Sequence, residues 1–357
     1  MDVETQVELA LRPPTAEVVV ADELRRLFET NSQPSHYIGF EISGQLHVGT
    51  LMMCGNKVRQ LQQAGVRCQV FLADWHSVMN EKFGGSWETI RTAAKYYREA
   101  FEKYCPGVKV VLGSDLYHDN DDYWRGVVEF SRRITLARTS RCLTVLGRSE
   151  KEKLSLAQFL YPPMQAVDIQ FIQADIAHSG VDQRRVHMLA REVYPDLKWK
   201  KPVALHHHVL AGLAEPPRVE ADASKDERVM AAKMSKSKPW TAVFIHDTAK
   251  QVEEKLQKAY CPPKVAEGNP VVELARFLIF NEAEASLRVE RPAKFGGPAE
   301  YASYADLERD YREGKLHPGD LKPAVAAALD KLLGPVRSHF EKRPELLKVF
   351  ESAPVTR

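Results

Sequence analysis

Two short segments carry residue types suited to handling a polyphosphate. The first is S-G-Q-L-H-V-G-T, residues 43–50, where an apolar run hands over to a helical pattern. A helix start offers unpaired N–H groups and a partial positive charge to an anion. His47 in the first turn can donate to a phosphate oxygen, and Gly49 leaves room for a nucleotide against the helix. The second is K-M-S-K-S, residues 233–237, whose Lys233 and Lys236 can close over a triphosphate and neutralise charge that grows in a transition state. Each has a plainer reading when taken alone: a helix-capping or surface histidine, and a solvated basic loop.

A third segment, YPPMQAVDIQFIQADIAHSGVDQRR at residues 161–185, sets Tyr161, Gln165 and Asp168 at i, i+4 and i+7, on one helical face. Pro162 and Pro163 fit the first turn of that helix. Burying phenol, amide and carboxylate together is costly unless something pairs with them. A ligand site and an internal hydrogen-bond network both answer that need. Arg132, Arg133, Arg138, Arg141 and Arg148 lie in a stretch with no acid between Ser131 and Ser149. They read as a face that tracks phosphates, or as a solvated helix face or subunit contact. His206, His207 and His208 alternate faces if they lie on a strand, so at most two could share a site. With no further ligand pair nearby, the reading is a strand end near a nucleotide, with no metal.

The elements that must position these groups follow from pattern. Strand candidates at 36–42, 68–75 and 108–115 alternate with helical stretches at 45–64 and 86–104, the order of a Rossmann-like parallel sheet. A helical stretch at about 116–160 interrupts it, and a further strand candidate covers 202–206. Beyond about Thr248 strand candidates disappear, and helical stretches (249–260, 270–280, 304–313, 323–340) alternate with Pro- and Gly-rich turns. The expected class is therefore α/β: a Rossmann-like parallel-sheet catalytic domain at 1–247 with a helical insertion, then an all-α domain at 248–357. The 357 residues suit two domains. A net charge of +2 excludes a tail-driven nucleic-acid binder but leaves a local basic face open. Five scattered cysteines without C-x-x-C, and no signal-like or membrane-length apolar run, point to the cytoplasm.

Taken in order, the H-x-G and K-M-S-K-S segments resemble the signatures of class I aminoacyl-tRNA synthetases. The second is complete; the first departs from the family, with Thr50 where a second His usually stands. Residues 161–168 resemble the tyrosine-binding helix of tyrosyl-tRNA synthetases, pattern Y-P-x-M-Q-x-x-D. The resemblance implies that Tyr161 and Gln165 hold the substrate ammonium, while Tyr37 and Asp168 meet its phenolic hydroxyl. It places Asp74 near the ammonium, Gln183 near the amino acid and Asp182 near the ribose. ATP, with Mg2+, would be handled by His47, Gly49, Thr50, Asp182, Lys233, Ser235, Lys236 and Ser237, with His47, Lys233 and Lys236 stabilising the departing pyrophosphate.

The tail resembles the archaeal and eukaryotic tyrosyl branch at RPAKFGG (291–297) and LHPGD (316–320). That likeness implies that Phe295 stacks on the first anticodon base and Asp320 reads its edge, with His317 and Pro318 beside them. It also implies a homodimer through the insertion, and Arg184 near the first base pair of the acceptor stem. Without it, Phe295 reads as core and Asp320 as a helix cap. The chain ends without room for the extra RNA-binding module of the bacterial branch. The expected activity is tyrosine–tRNA ligation through tyrosyl-adenylate. Tryptophanyl-tRNA synthetase, which has no use for a Tyr37/Asp168 pair, is the near alternative; a small-molecule nucleotidylyltransferase is the remote one.

Overall fold

A computed structural model of the chain describes residues 1–143, 154–217, 228, 231–282 and 285–352. Arg148 lies outside them. The chain forms two compact units: Met1–Gly44, Lys57–His208 and Glu345–Arg357 make the first, Gln45–Asn56 and Val209–Pro344 the second. This division differs from a boundary near 247–248 in chain order. Contacts assign the H-x-G segment and the K-M-S-K-S segment to the same unit.

The first unit holds a six-stranded sheet in the order β1-β6-β5-β2-β3-β4, with β1 Thr15–Val18, β2 Ser35–Phe40, β3 Arg67–Leu72, β4 Lys109–Leu112, β5 Ile176–Gly180 and β6 Val203–His207. All neighbours pair in parallel except β1, an antiparallel edge strand on β6. The parallel Rossmann-like sheet is thus present, but two of its six strands, the edge strand β1 and the buried β5, are not revealed by the sequence pattern. Strand order reverses at β2, which lies between β5 and β3. In such sheets the crevice beyond the carboxyl ends at the reversal is where ligands bind. The chain leaves those ends at Glu41 after β2, Asp74 after β3, Ser114 after β4 and Asp182 after β5.

Helices cover the sheet: α1 Val3–Leu11, α2 Ala21–Thr30, α3 Val48–Gln63, α4 Asp74–Met79, α5 Trp87–Tyr104, α6 Gly113–Tyr117, α7 Asp121–Ser131, α8 Leu136–Cys142, α9 Leu156–Phe171 and α10 Arg184–Val193. One expectation needs correction. α9 does not begin at Tyr161; it begins at Leu156, because Ser155 and Gln158 close a capping box, and Pro162 and Pro163 fall inside the helix. Those prolines forgo the bonds to the carbonyls of Gln158 and Phe159. Their rings are buried beside Tyr161, Met164 and Asp168, so packing offsets the loss. The core around α9 is strongly aromatic, gathering Tyr37, Phe71, Tyr117, Tyr123, Phe130 and Tyr194.

Three imidazoles cross the sheet in a row: His36 on β2 bonds His178 on β5 at 2.9 Å, and His178 bonds His207 on β6 at 2.8 Å. His206 faces the other way, as strand alternation requires, and bonds His187 of α10 at 3.1 Å.

In the second unit, helix α11 (Ala249–Lys258) packs against the long α14 (Pro318–Glu341), and Val252, Leu256, Leu321, Val325 and Leu329 on the two helices are buried. Between them lie α12 (Pro270–Leu274), which runs into a wider turn at Ala275–Ile279, and α13 (Tyr304–Glu313). The tail is not all helical. Leu287–Val289 (β7) and Ala299–Tyr301 (β8) pair as a short antiparallel ribbon, each too brief to show an alternating pattern. α14 also starts earlier than its apolar pattern, at Pro318, since His317 caps it by accepting the Gly319 N–H at 3.0 Å.

Candidate functional site

Asp168 lies on the buried face of α9 with no exposure to solvent. Tyr117 and Tyr123 both donate to its Oδ1, at 2.9 and 2.8 Å. Its Oδ2 is buried and has no hydrogen-bond partner among the described residues, and His76 Nε2 stands 3.7 Å away. Burial drives the carboxyl pKa up to about 8, against the two phenolic donors that pull it down. Burial also keeps His76 neutral by pushing it down to about 3, so it does not form an ion pair with Asp168. Tyr37 sits in the same core, and its pKa is raised by burial and then by the Asp168 charge. Gly39 makes room for it: a Cβ there would stand 2.5 Å from the Tyr37 hydroxyl.

One helical turn earlier, Gln165 shows a second buried acceptor without a partner, its Oε1. Its amide nitrogen donates weakly to Gln183 Oε1 at 3.5 Å, and Gln183 Nε2 to Asp182 Oδ2 at 3.4 Å. These residues, predicted separately, form one chain at the end of β5. Tyr161 packs edge-on to His76 at 4.4 Å between ring centres. Its phenol bonds Glu41, which also accepts from Asn80 at 2.9 Å. Asp74 is buried and accepts from Ser114 N and Trp75 N at 3.0 Å, and from the Ser114 hydroxyl. Burial still raises its pKa. Tyr117, Tyr123, His76, Glu41 and Ser114 escape sequence reasoning.

The second cluster belongs to the other unit. His47 precedes α3 and its carbonyl accepts from Thr50 N and Leu51 N, closing the first turn. Its backbone pairs with Phe244, and Val48 N–H donates to Val243 at 2.9 Å. The ring is 8 % exposed; Nδ1 is buried without a partner, and Nε2 lies 3.2 Å from the Thr50 hydroxyl. Thr50 thus touches the one histidine that the signature retains. A Cβ on Gly49 would meet the His47 ring at 3.0 Å, so a side chain there would crowd the imidazole. Burial pushes His47 down to about 3, helped by the Lys236 and Lys233 ammoniums. Lys233 pairs with Ala211 through the backbone, and Met234 is buried beneath the loop. Ser235 and Ser237 bond one another at 2.9 Å. The two segments thus lie in one unit, near enough for the Lys233 and Lys236 charges to act on His47.

The arginines fall into a set at the end of α7 and a set that lines a pocket. Arg132 and Arg133, just past the end of α7, bond Glu129 in its last turn. Arg138, Arg141, Arg184 and Arg185 surround an open pocket of about 390 Å³ together with Cys142, Met188 and Leu189. In the tail, Arg291 donates to Gly297 O at 3.0 Å and Lys315 O at 2.8 Å, so it ties the 291–297 turn to the segment before His317. Gly296 and Gly297 make that turn at φ 96° and 71°. His317 is exposed, Pro318 buried and Asp320 half-buried in the first turn of α14. The side chain of Phe295 lies outside what the structure describes.

Residues 29–334 match the family model of tRNA synthetases class I (W and Y). The tyrosine–tRNA ligase of Thermococcus gammatolerans is 46% identical across all of both chains. That of Pyrococcus furiosus is 44% identical, again across all of both. The crystal structure of tyrosyl-tRNA synthetase complexed with L-tyrosine from Pyrococcus horikoshii superimposes with a TM-score of 0.92 at 43% identity, covering 99% of this chain and 100% of that one.

Proposed function

The chain belongs to the class I tRNA synthetases (W and Y), and we propose from that membership how its two clusters divide the chemistry of a tyrosine–tRNA ligase. The observation that carries the reading is the pair of unpartnered buried acceptors on α9, Asp168 Oδ2 and Gln165 Oε1. Tyrosine offers a donor at each end, a phenolic hydroxyl and an ammonium, joined by an apolar ring. Asp168, with Tyr37, takes the hydroxyl; Gln165, with Tyr161, Asp74 and Gln183, takes the ammonium end. Phenylalanine would leave Asp168 Oδ2 unmet in a dry site, at about 1–3 kcal/mol. Tryptophan has no hydroxyl to give it.

The substrate carboxylate is ionised at neutral pH and needs no general base. It attacks the α-phosphorus of ATP, bound as its Mg2+ complex, and forms tyrosyl-adenylate as pyrophosphate leaves. Lys233 and Lys236 meet the charge on the departing pyrophosphate. His47 acts beside them as a neutral donor, because its depressed pKa denies it a charge. Thr50 holds its ring, Gly49 leaves space for the base, and Ser235 and Ser237 shape the loop. Asp182 faces the ribose. Exchange of pyrophosphate into ATP, run with each of the twenty amino acids, tests the reading: tyrosine alone supports exchange, and exchange driven by tryptophan overturns it.

Transfer to tRNA uses surfaces outside the tyrosine cluster. Arg184 contacts the acceptor stem from the basic pocket, while Phe295, His317, Pro318 and Asp320 read the first anticodon base. This assigns residues 1–247 to catalysis and 248–357 to the anticodon. Val128, Leu136, Leu156 and Leu160 are exposed on α7, α8 and α9, which supports a homodimer through residues 116–160. No helix among the described residues is long and apolar enough to cross a membrane, and the five free thiols fit a reducing cytoplasm.

A further inference from the structure

Arg184 opens α10 directly after the Asp182–Gln183 turn, and an acid holds it there. Glu17, on the edge strand β1, accepts from Arg184 Nε at 2.8 Å and from Nη2 at 3.0 Å. This two-point geometry fixes the plane of the guanidinium as well as its distance. Glu17 is itself oriented. It stands opposite His206 in the antiparallel register, and its Oε2 lies 2.9 Å from His206 Nδ1. The far nitrogen of His206 bonds His187, which lies one turn beyond Arg184 on α10. Strand β1, strand β6 and the first turn of α10 are thus closed into a ring by one carboxylate and two imidazoles.

An acid beside a group meant for RNA opposes binding by charge alone, so its presence calls for a positional explanation. Arg184 shares its pocket with Arg138, Arg141 and Arg185, and without a partner four guanidiniums would repel one another and fan outward. Arg138 is held by Glu192, as Arg184 is by Glu17. We propose that Glu17 is a positioning residue for tRNA charging: it aims the Arg184 guanidinium at the acceptor stem and takes no part in tyrosine activation. The proposal rests on the assignment of Arg184 to the acceptor stem.

The test is a double-mutant cycle on the full-length enzyme, with two readouts for each variant: pyrophosphate exchange with tyrosine, and steady-state charging of tRNA(Tyr) transcript. Glu17→Gln keeps the size of the side chain and one acceptor but loses the charge. It raises the KM for tRNA about tenfold, with kcat of charging and pyrophosphate exchange unchanged. In an Arg184→Ala background the same change adds nothing further, because the group it aims is gone. The positioning role is overturned if the two substitutions raise KM independently. It is also overturned if Glu17→Gln slows exchange as much as charging, the mark of a structural role. An Arg184→Ala enzyme with unaltered KM for tRNA overturns the assignment of Arg184 itself, and the proposal with it. A raised KM in Arg184→Ala with none in Glu17→Gln overturns only the proposal.

Discussion

Asp168 and His47 are both buried ionisable groups that stay uncharged near neutral pH, and they reach that state in opposite ways. Burial raises Asp168 to about 8, and its two phenolic neighbours resist the rise. Burial lowers His47 to about 3, and its two lysine neighbours add to the fall. Asp168 is left poised, able to lose its proton when a better partner arrives. His47 is left far from titration at neutral pH, a fixed dipole whose protonation does not vary there. In the proposed roles, the group that takes the substrate hydroxyl can exchange a proton on binding, whereas the group assigned to the triphosphate starts out neutral.

The largest expected effect lies on the His47 side. Lys236→Ala should slow tyrosyl-adenylate formation by about 10²–10³, with tyrosine affinity, read by equilibrium dialysis, hardly altered. Unchanged pyrophosphate-exchange kinetics would remove Lys236 from the comparison. On the Asp168 side, tyrosine that donates to Oδ2 must displace a proton below about pH 8. By linkage its affinity should therefore rise with pH toward that value, by up to about tenfold per unit, and level off above it. Asp168→Asn should weaken binding by about ten- to a hundredfold and abolish the slope. A flat wild-type profile would show that the carboxyl is not poised.

Tyr123→Phe removes one of the two donors that hold the Asp168 pKa down. Its pH profile should shift to the alkaline side, and tyrosine affinity at pH 7 should fall about tenfold. An acid shift would reverse the assigned role of the phenol. The smallest effect is expected for Thr50→Val. It removes the hydroxyl against His47 Nε2 and should raise the KM for ATP by about two- to tenfold, with the KM for tyrosine unmoved.

The sequence was most legible where chemistry is local. Lys233 and Lys236 sit in one pentapeptide, and Tyr161, Gln165 and Asp168 on one helix, so spacing alone places them together. The parallel strands β2, β3, β4 and β6 could be read because burial on both faces leaves apolar runs, whereas β5, I-A-H-S-G, is buried without being one. The partners of those residues could not be read. Tyr117 and Tyr123 reach Asp168 from α6 and α7, and Glu17 reaches Arg184 from the other end of the unit's chain, so only the fold brings them near. The start of α9 was misplaced for a related reason: proline usually marks a first turn, but here a capping box upstream set the boundary. β7 and β8 are too short for any period to register.

The imidazole row from His36 through His178 to His207 gives the sheet a direction. A neutral imidazole has one donor and one acceptor, so three in line must all point their protons the same way. Turning one turns them all. The row also makes the sheet an acid fuse. Each of these histidines is held below its ordinary value by burial, His36 at about 3 and His207 at about 4, while the unfolded chain takes up protons near 6.5. Their contribution to stability is whole above about pH 6.5 and drains as the pH falls toward the folded values, by up to about 1.4 kcal/mol per unit for each ring. Thermal unfolding followed from neutral to acid pH should steepen there, and replacing His178, the ring bonded on both sides, should blunt the slope.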